Sequence, residues 1–120
     1  MAHKILVADD EANMLVLLKR VLCKEGYQIE CAESGEAGFE LASKGPFSLA
    51  IVDVSMAEMD GIDLLGKLKE LNKKMPVIMI TGFPSWEREQ RARKLGCADY
   101  LSKPLNIRQL KELIRKHLTE

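Results

Sequence analysis

The chain has 120 residues, of which 47% are hydrophobic, and it carries 18 basic and 18 acidic side chains. This length suits one domain with one core, and zero net charge gives no argument for contact with nucleic acid or an anionic membrane surface. No apolar stretch approaches the ~20 residues of a membrane span, and Met1 stands so close to the first strand pattern that we expect no leader peptide.

Five short apolar runs are predicted to be strands. The central runs are almost continuously apolar, which is typical of strands covered on both faces. The second run alternates weakly and is predicted to be an outer strand. In chain order, the predicted strands are Lys4–Ala8, Gln28–Ala32, Ser48–Val52, Val77–Thr81 and Ala98–Leu101.

Amphipathic segments lie between the predicted strands. Apolar residues recur with helical spacing at 14–22, 62–68 and 110–118. Asp60 is predicted to cap the third helix, and Asn106 is predicted to cap the fifth. Gly26, Gly45 and Gly96 each follow a helical run, where a glycine favours the end of the helix.

The alternation of strand and helix predicts an α/β fold with a doubly wound, five-stranded parallel sheet. The flavodoxin-like strand order 2-1-3-4-5 fits, because the least apolar strand then lies at an edge. That order places the first and third strands at the topological switch point, where ligands bind beyond the carboxyl ends of the strands.

Acidic residues follow both of these central strands. Asp9 and Asp10 come directly after the first strand, and Asp53 comes directly after the third. Carboxylates crowded at one sheet edge repel one another until a positive charge lies among them. The sequence therefore predicts a site for a hard divalent cation such as Mg2+, which bridges to phosphate oxygens.

The fourth and fifth strands add groups suited to phosphoryl transfer. Thr81 ends the fourth strand and Gly82 follows it, while Lys103 follows the fifth. An aspartate can attack a phosphoryl group and form an acyl phosphate. The transfer needs charge stabilisation and alignment, which an ammonium and a hydroxyl supply, and a glycine allows a backbone N–H to approach closely.

Together these motifs resemble the receiver domain of two-component response regulators. The resemblance covers essentially the whole chain, so residues 1–120 are expected to form one receiver domain. The matching segments are Asp9-Asp10-Glu11, Asp53, Met56-Ala57-Glu58-Met59-Asp60-Gly61, Thr81-Gly82, and Ala98-Asp99-Tyr100-Leu101-Ser102-Lys103-Pro104.

The resemblance implies a role for each acidic position. Asp53 is the expected phosphoacceptor. Asp10 is expected to bind Mg2+ directly, Asp9 largely through water, and Asp53 and the backbone carbonyl of Ser55 to complete the protein ligands. In this family the loop after the acceptor usually carries proline where this chain has Ala57, so a fixed φ angle is lost there.

The resemblance also implies a switch. Thr81 and Lys103 are expected to contact the phosphoryl oxygens, together with the backbone N–H of Gly82. Tyr100 is the expected switch aromatic, which turns inward from an exposed rotamer when Thr81 moves toward the phosphoryl group. The Lys103–Pro104 bond is expected to be cis, a form almost confined to bonds before proline.

The implied function is a signalling switch rather than an enzyme. A histidine kinase or phosphotransfer protein would donate the phosphoryl group. The face made by the fourth helix, fifth strand and fifth helix would then bind an unknown output domain or target, or a second copy of the chain, without direct contact to nucleic acid or membrane. Few apolar anchors lie in 85–95, so the fourth helix is expected to be loosely packed, with Trp86 partly exposed at its start.

Three other functions fit the sequence less well. An aspartate-nucleophile phosphatase would resemble D-x-D, but Ser55 stands at the second acid position. A flavin-binding domain of this topology would need a phosphate loop after the first strand, where Asp-Asp-Glu would repel phosphate. A degenerate receiver that acts only as a docking module would be expected to lack an acid, the threonine or the lysine.

The cysteines and histidines predict no further site. Cys23, Cys31 and Cys97 form no C-x-x-C pair, so neither a disulfide framework nor a zinc site is predicted. We expect three small buried hydrophobes in a reducing cytoplasm. His3 and His117 stand alone near the two ends and are expected on the surface.

Overall fold

The computed structural model of the protein describes residues 3–118. The expectation of no leader peptide concerns Met1, which lies outside the described residues. The strands are β1 (Lys4–Ala8), β2 (Gln28–Ala32), β3 (Leu49–Asp53), β4 (Val77–Thr81) and β5 (Asp99–Ser102). The helices are α1 (Ala12–Cys23), α2 (Gly35–Lys44), α3 (Gly61–Leu71), α4 (Trp86–Lys94) and α5 (Ile107–Leu118).

The strands form one parallel sheet in the order β2-β1-β3-β4-β5, which confirms the predicted topology. The third and fifth strands each begin and end one residue later than predicted. Asp53 is therefore the last residue of β3, where it pairs in register with Ile80 of β4. Thr81 pairs with Ser102 of β5, which places Lys103 just beyond that edge strand.

Alternate residues of the central strands pack into two separate hydrophobic cores, one on each face of the sheet. In β1, Leu6 and Ala8 point to the cluster shared with α2, α3 and α4. Ile5 and Val7 point to the other face, where they pack with α1 and α5. The period of two therefore assigns the apolar residues of each strand to the two faces, while Asp9 and Asp53 lie where β1 and β3 end.

Polar caps and close backbone contacts fix the helices that border the sheet edge. The predicted caps are present, since Asp60 Oδ1 accepts from Asp63 N at 2.9 Å and Asn106 Oδ1 accepts from Gln109 N at 3.0 Å. Gly61 begins α3 directly against β3. A Cβ at Gly61 would lie 2.0 Å from the carbonyl oxygen of Asp53, so only glycine fits there.

Asp60→Ala is expected to lower the free energy of unfolding by about 1 kcal/mol, because an amide at the start of α3 loses its acceptor. Urea denaturation measures the change. Asp63→Ala is the matched control, since it removes only a first-turn charge and should cost a few tenths of a kcal/mol, on the order of a helix-dipole effect. Equal losses in the two variants would contradict the capping role.

The expectation that all three cysteines are buried was wrong, while the histidines agree with the sequence analysis. Cys23 is exposed at the end of α1, whereas Cys31 and Cys97 are half-buried, because they pack against the margins of the two cores from an edge strand and a loop. His3 is exposed, as expected, and His117 is partly exposed, with its Nε2 2.6 Å from Asp99 Oδ2 where the last turn of α5 packs beside β5. No helix within residues 3–118 is long and apolar enough to cross a membrane.

Candidate functional site

Three carboxylates converge at the carboxyl ends of β1 and β3. One ligand oxygen from each of Asp9, Asp10 and Asp53 lies within 4.8 Å of the others. Asp9 is fully buried and Asp53 is 3% exposed, whereas Asp10 faces solvent. The predicted cluster is therefore present, with two buried acids and one open to incoming ions.

Each buried carboxylate has one oxygen held by its own loop. Asp9 Oδ1 accepts a hydrogen bond from Glu11 N at 2.8 Å, and Asp53 Oδ1 accepts one from Ser55 N at 3.2 Å. Their second oxygens both face the ammonium of Lys103, at 3.1 Å from Asp9 Oδ2 and 3.5 Å from Asp53 Oδ2. The loops thus fix the carboxylates while leaving one oxygen of each for charged partners.

Lys103 is the cation of the cluster. Its Nζ also lies 3.0 Å from Glu11 Oε1, a contact for which the sequence analysis gave no role. Burial alone would lower the pKa of Lys103, but the carboxylates of Glu11, Asp9 and Asp53 outweigh burial and hold its pKa well above its usual range. The ammonium therefore stays charged and forms ion pairs with three carboxylates at once.

One ammonium does not balance the acids around Asp53. Burial first, and then the charge of Asp9, raises the pKa of Asp53 from 3.8 to about 6, although Lys103 and the amide of Ser55 act in the opposite direction. The pocket therefore favours the neutral form of the carboxyl that was predicted to accept the phosphoryl group. A further positive charge in the cluster would favour its ionised form instead.

The donor set fits a hard divalent cation. It offers three carboxylates with ligand oxygens close together, and such ions prefer oxygen ligands and keep several waters. Asp9 Oδ2 is buried and accepts no hydrogen bond among residues 3–118, so its contact with Lys103 is an ion pair and the oxygen can still face a metal-bound water. Exposed Asp10 adds an accessible ligand on the solvent side.

A cleft of about 420 Å³ opens above these acids. Its lining residues are Asp10, Glu11, Asp53, Ser55, Gly82, Phe83 and Lys103. Thr81 is fully buried and does not line the cleft, since its Oγ1 accepts a hydrogen bond from Phe83 N at 3.0 Å. A Cβ at Gly82 would make an ordinary 3.7 Å contact with Lys103 Cδ, so this conformation does not itself demand glycine there.

The fifth strand holds two of the predicted features. The Lys103–Pro104 bond is cis, as expected, and Lys103 N donates to Thr81 O at 2.7 Å. The expectation that Tyr100 takes an exposed rotamer was wrong. Its ring packs against the cluster that contains Ala92 of α4, and its hydroxyl is buried without a hydrogen-bond partner in the described part of the chain.

The fourth helix is as weakly anchored as its sequence predicts. Ala92 is its one buried residue, and Trp86 is 74% exposed at its start. The structure adds a contact that the sequence analysis missed: Arg88 Nη1 donates to Ser55 Oγ at 3.3 Å, across 33 residues of chain. No local pattern in the sequence indicates such a contact, because it depends on how α4 lies over the loop after β3.

The loop after the predicted acceptor is held mainly by its neighbours. Ala57, which replaces the usual proline, is exposed, and Glu58 takes a left-handed φ of 63°. A Cβ at Gly35 would lie 2.6 Å from the carbonyl oxygen of Met59, so the start of α2 packs directly on this loop. The contact of α2 with Met59, together with the hydrogen bond from Gly61 N to Val54 O at 2.8 Å that joins the two ends of the loop, supports the loop where the fixed φ of proline is missing.

A doubly wound parallel sheet that gathers carboxylates and a lysine at its topological switch point has a charged pocket where proteins of this architecture bind ligands. The chain belongs to the response regulator receiver domain family, whose pattern matches residues 5–115. This match confirms the family that the sequence motifs resemble.

Two curated relatives illustrate the contexts in which such domains occur. The transcriptional regulatory protein ZraR of Salmonella typhimurium is 40% identical over 114 residues, which are 95% of this chain and 26% of ZraR. Sporulation initiation phosphotransferase F of Bacillus subtilis is 30% identical over 118 residues, which are 98% of this chain and 95% of that protein. The chain thus spans about a quarter of the first relative and nearly all of the second.

Solved structures agree with the fold. The CheY-like response regulator receiver domain protein of Methanospirillum hungatei JF-1 matches with a TM-score of 0.96 and 34% identity over 98% of this chain and 94% of that chain. The response regulator protein TrrA of Thermotoga maritima, solved in complex with Mg2+ and BeF, matches with a TM-score of 0.88 and 34% identity over 98% and 100% of the two chains.

Proposed function

We propose that this protein is a phosphorylation-activated switch that accepts a phosphoryl group on Asp53, with Mg2+, from a histidine kinase or phosphotransfer protein. Receiver domains act as signalling switches rather than as classical enzymes. The observation that carries the proposal is the environment of Asp53, a buried carboxylate that lines an open cleft and shares the ammonium of Lys103 with Asp9.

The proposed transfer is a displacement at phosphorus. A carboxylate oxygen of Asp53 forms the new P–O bond while the P–N bond of the donor phosphohistidine breaks. The imidazole nitrogen keeps the electron pair of that bond and takes up a proton. Lys103, already 3.5 Å from Asp53 Oδ2, then stabilises the negative charge on the transferring group.

The proposed metal ligands are Asp9, Asp10, Asp53 and the backbone carbonyl of Ser55. Asp9 would contribute mainly through water, because it is fully buried and, unlike Asp10 and Asp53, does not line the cleft. When bound, Mg2+ supplies positive charge to the phosphoryl oxygens and neutralises the crowded carboxylates.

Mg2+ is expected to stabilise the fold. At a concentration tenfold above Kd, the gain is about 1.4 kcal/mol, or a rise in melting temperature of about 5 °C. Asp10→Ala should remove most of this gain, since it deletes the exposed ligand. Glu70→Gln, which removes an exposed acid on α3, should leave the gain intact. A melting temperature that Mg2+ does not move would count against the cation site.

The decisive experiment is to label the protein with a radioactive acyl phosphate, such as acetyl phosphate, with and without Mg2+. We expect stoichiometric, Mg2+-dependent labelling that hydroxylamine removes, because the product is an acyl phosphate. Mass spectrometry after borohydride reduction should place the modification on Asp53. Label on another residue, or none with Mg2+ present, would refute the proposal.

Activation is proposed to run through Thr81 and Tyr100. A phosphoryl group would draw the Thr81 hydroxyl away from Phe83 N, with the N–H of Gly82 as a further contact to phosphoryl oxygen. Because Tyr100 already packs inward, the proposed change is a repacking of its buried hydroxyl rather than an inward turn. The α4–β5–α5 face would then present a new surface to an output domain, a target or a second copy of the chain.

A docking module without phosphorylation is the weaker alternative. It would not require the acids and Lys103 to converge, yet one lysine contacts three of the acids here. We place the switch in the cytoplasm, where the free thiols of Cys23, Cys31 and Cys97 would remain reduced. Its kinase and target are further partners of the same proposal.

A further inference from the structure

Arg88 is a half-buried cation without a carboxylate partner among residues 3–118. Its guanidinium donates one hydrogen bond, to the neutral hydroxyl of Ser55 at 3.3 Å. Arg93 on the same helix differs, since its Nε and Nη2 lie 2.9 and 2.8 Å from Glu89 Oε2. A guanidinium has five N–H donors in a planar fork, so Arg88 retains donors and a full charge for another anion.

Arg88 does not itself line the cleft at Asp53, but its hydrogen bond to Ser55 brings one guanidinium nitrogen to the edge of that cleft. Its partner Ser55 lines that cleft together with Asp53, and Ser55 N donates to Asp53 Oδ1 at 3.2 Å. A phosphoryl group on Asp53 carries between one and two negative charges at neutral pH. The other cation, Lys103, is already shared with Asp9 and Glu11. The negative charge of a phosphoryl group would therefore be only partly neutralised by Lys103, and a second cation could bind it.

We propose, as an extension that rests on the function proposed above, that Arg88 is a second cationic ligand of the phosphoryl group on Asp53. The guanidinium exchanges the hydroxyl of Ser55 for phosphoryl oxygens, because charge-assisted hydrogen bonds are roughly twice as strong as neutral ones. This exchange draws the first turn of α4 toward the loop after β3. Phosphorylation thereby acts on α4 directly, alongside the route through Thr81.

The weak packing of α4 would allow its first turn to move with Arg88 toward the loop after β3. The helix buries only Ala92, so a shift of its first turn breaks few apolar contacts. The guanidinium also acts on Tyr100: burial and the charge of Glu89 raise the pKa of that phenol, while Arg88 lowers it. Moving Arg88 toward the cleft therefore changes the environment of Tyr100 and the exposed Trp86 together.

Beryllofluoride, a mimic of the phosphoryl group, provides the test. The parent and the variants Arg88→Met, Arg88→Lys and Arg91→Met are titrated with it at saturating Mg2+, and binding is followed by 19F NMR and Trp86 fluorescence. Arg88→Met should weaken binding by about tenfold or more, shift a bound 19F resonance and reduce the fluorescence change. Arg91→Met, at an exposed position one turn along α4, should match the parent.

The outcomes separate this inference from the function on which it rests. If Arg88→Met binds beryllofluoride like the parent, with the same 19F resonances, Arg88 is not a ligand, while labelling of Asp53 still stands. If the parent itself neither binds beryllofluoride nor accepts a phosphoryl group, both proposals fail. Should Arg88→Met melt early without ligand, Arg88→Lys decides, since it keeps the charge and should show an intermediate loss.

Discussion

Asp53→Asn is expected to abolish phosphoryl labelling and, at the same time, to stabilise the metal-free protein at neutral pH. Labelling stops because an amide is not a competent nucleophile. The stability gain follows from the pKa of Asp53, which burial and the charge of Asp9 raise from 3.8 to about 6. In the metal-free protein at pH 7.5, Asp53 is ionised in a pocket that favours its neutral form, and asparagine removes that charge.

The sign of the pH dependence is fixed by this shift. A folded-state pKa above the unfolded value contributes stability that is fully present below pH 3.8 and is lost as the pH rises through about 6. Asp53→Asn should therefore gain on the order of 1–3 kcal/mol at pH 7.5 and almost nothing at pH 4. Urea denaturation in a chelating buffer at several pH values measures the difference.

Glu70→Gln controls for the loss of one negative charge, because Glu70 is exposed on α3 and its replacement should change stability little at any pH. Saturating Mg2+ should shrink the advantage of Asp53→Asn, since a bound cation would favour the ionised carboxylate. If Asp53→Asn were less stable than the parent at pH 7.5 without metal, the attraction of Lys103 for the Asp53 carboxylate would exceed the combined cost of its burial and of its repulsion by Asp9.

The fold was predictable because its signals are local and mutually consistent. Nearly continuous apolar runs predict β1, β3 and β4 as strands covered on both faces, and the structure buries every residue of β3 and β4. The weakly alternating β2 is an edge strand, as predicted. The caps Asp60 and Asn106 were predictable as well, because a capping side chain binds an amide three residues away.

The placement of the site followed from topology, since parallel strands bring their carboxyl ends to one edge. Asp9, Asp10 and Asp53 meet there, and Lys103 reaches them from β5. Their roles in metal binding and phosphoryl transfer stay predictions until measured. Sequence spacing determines which strand end a residue occupies, but not which way its side chain turns.

The features that were missed all depend on tertiary geometry. The Glu11–Lys103 pair joins residues 92 apart, and the inward Tyr100 reflects space left beside a helix with one buried residue. Gly61 was noted only as part of a motif, although its lack of a Cβ lets α3 start against the backbone of Asp53. Such contacts require the packed structure, because no periodicity encodes them.

Lys103→Met is expected to separate metal binding from phosphoryl chemistry. The substitution keeps most of the side-chain volume but removes the cation from Asp9, Glu11 and Asp53. Breaking such a partly buried cluster should cost about 1–3 kcal/mol in the metal-free protein. The cost should grow with rising pH, because the pKa of Asp53 rises further without Lys103 and a proton relieves the repulsion only in acid.

Mg2+ should then stabilise Lys103→Met more than it stabilises the parent, since the cation enters a pocket with one less competing positive charge. Labelling with acetyl phosphate should nevertheless slow by about 100-fold, because the transferring group loses a preorganised cation. Lys74→Met, at an exposed position on the far loop after α3, should match the parent in both assays. A smaller Mg2+-dependent rise in melting temperature in Lys103→Met than in the parent would show that Lys103 helps to assemble the cation site instead of competing with it. In that case the contacts of Lys103 with Asp9, Glu11 and Asp53 would favour Mg2+ binding more than the repulsion between the ammonium and Mg2+ opposes it.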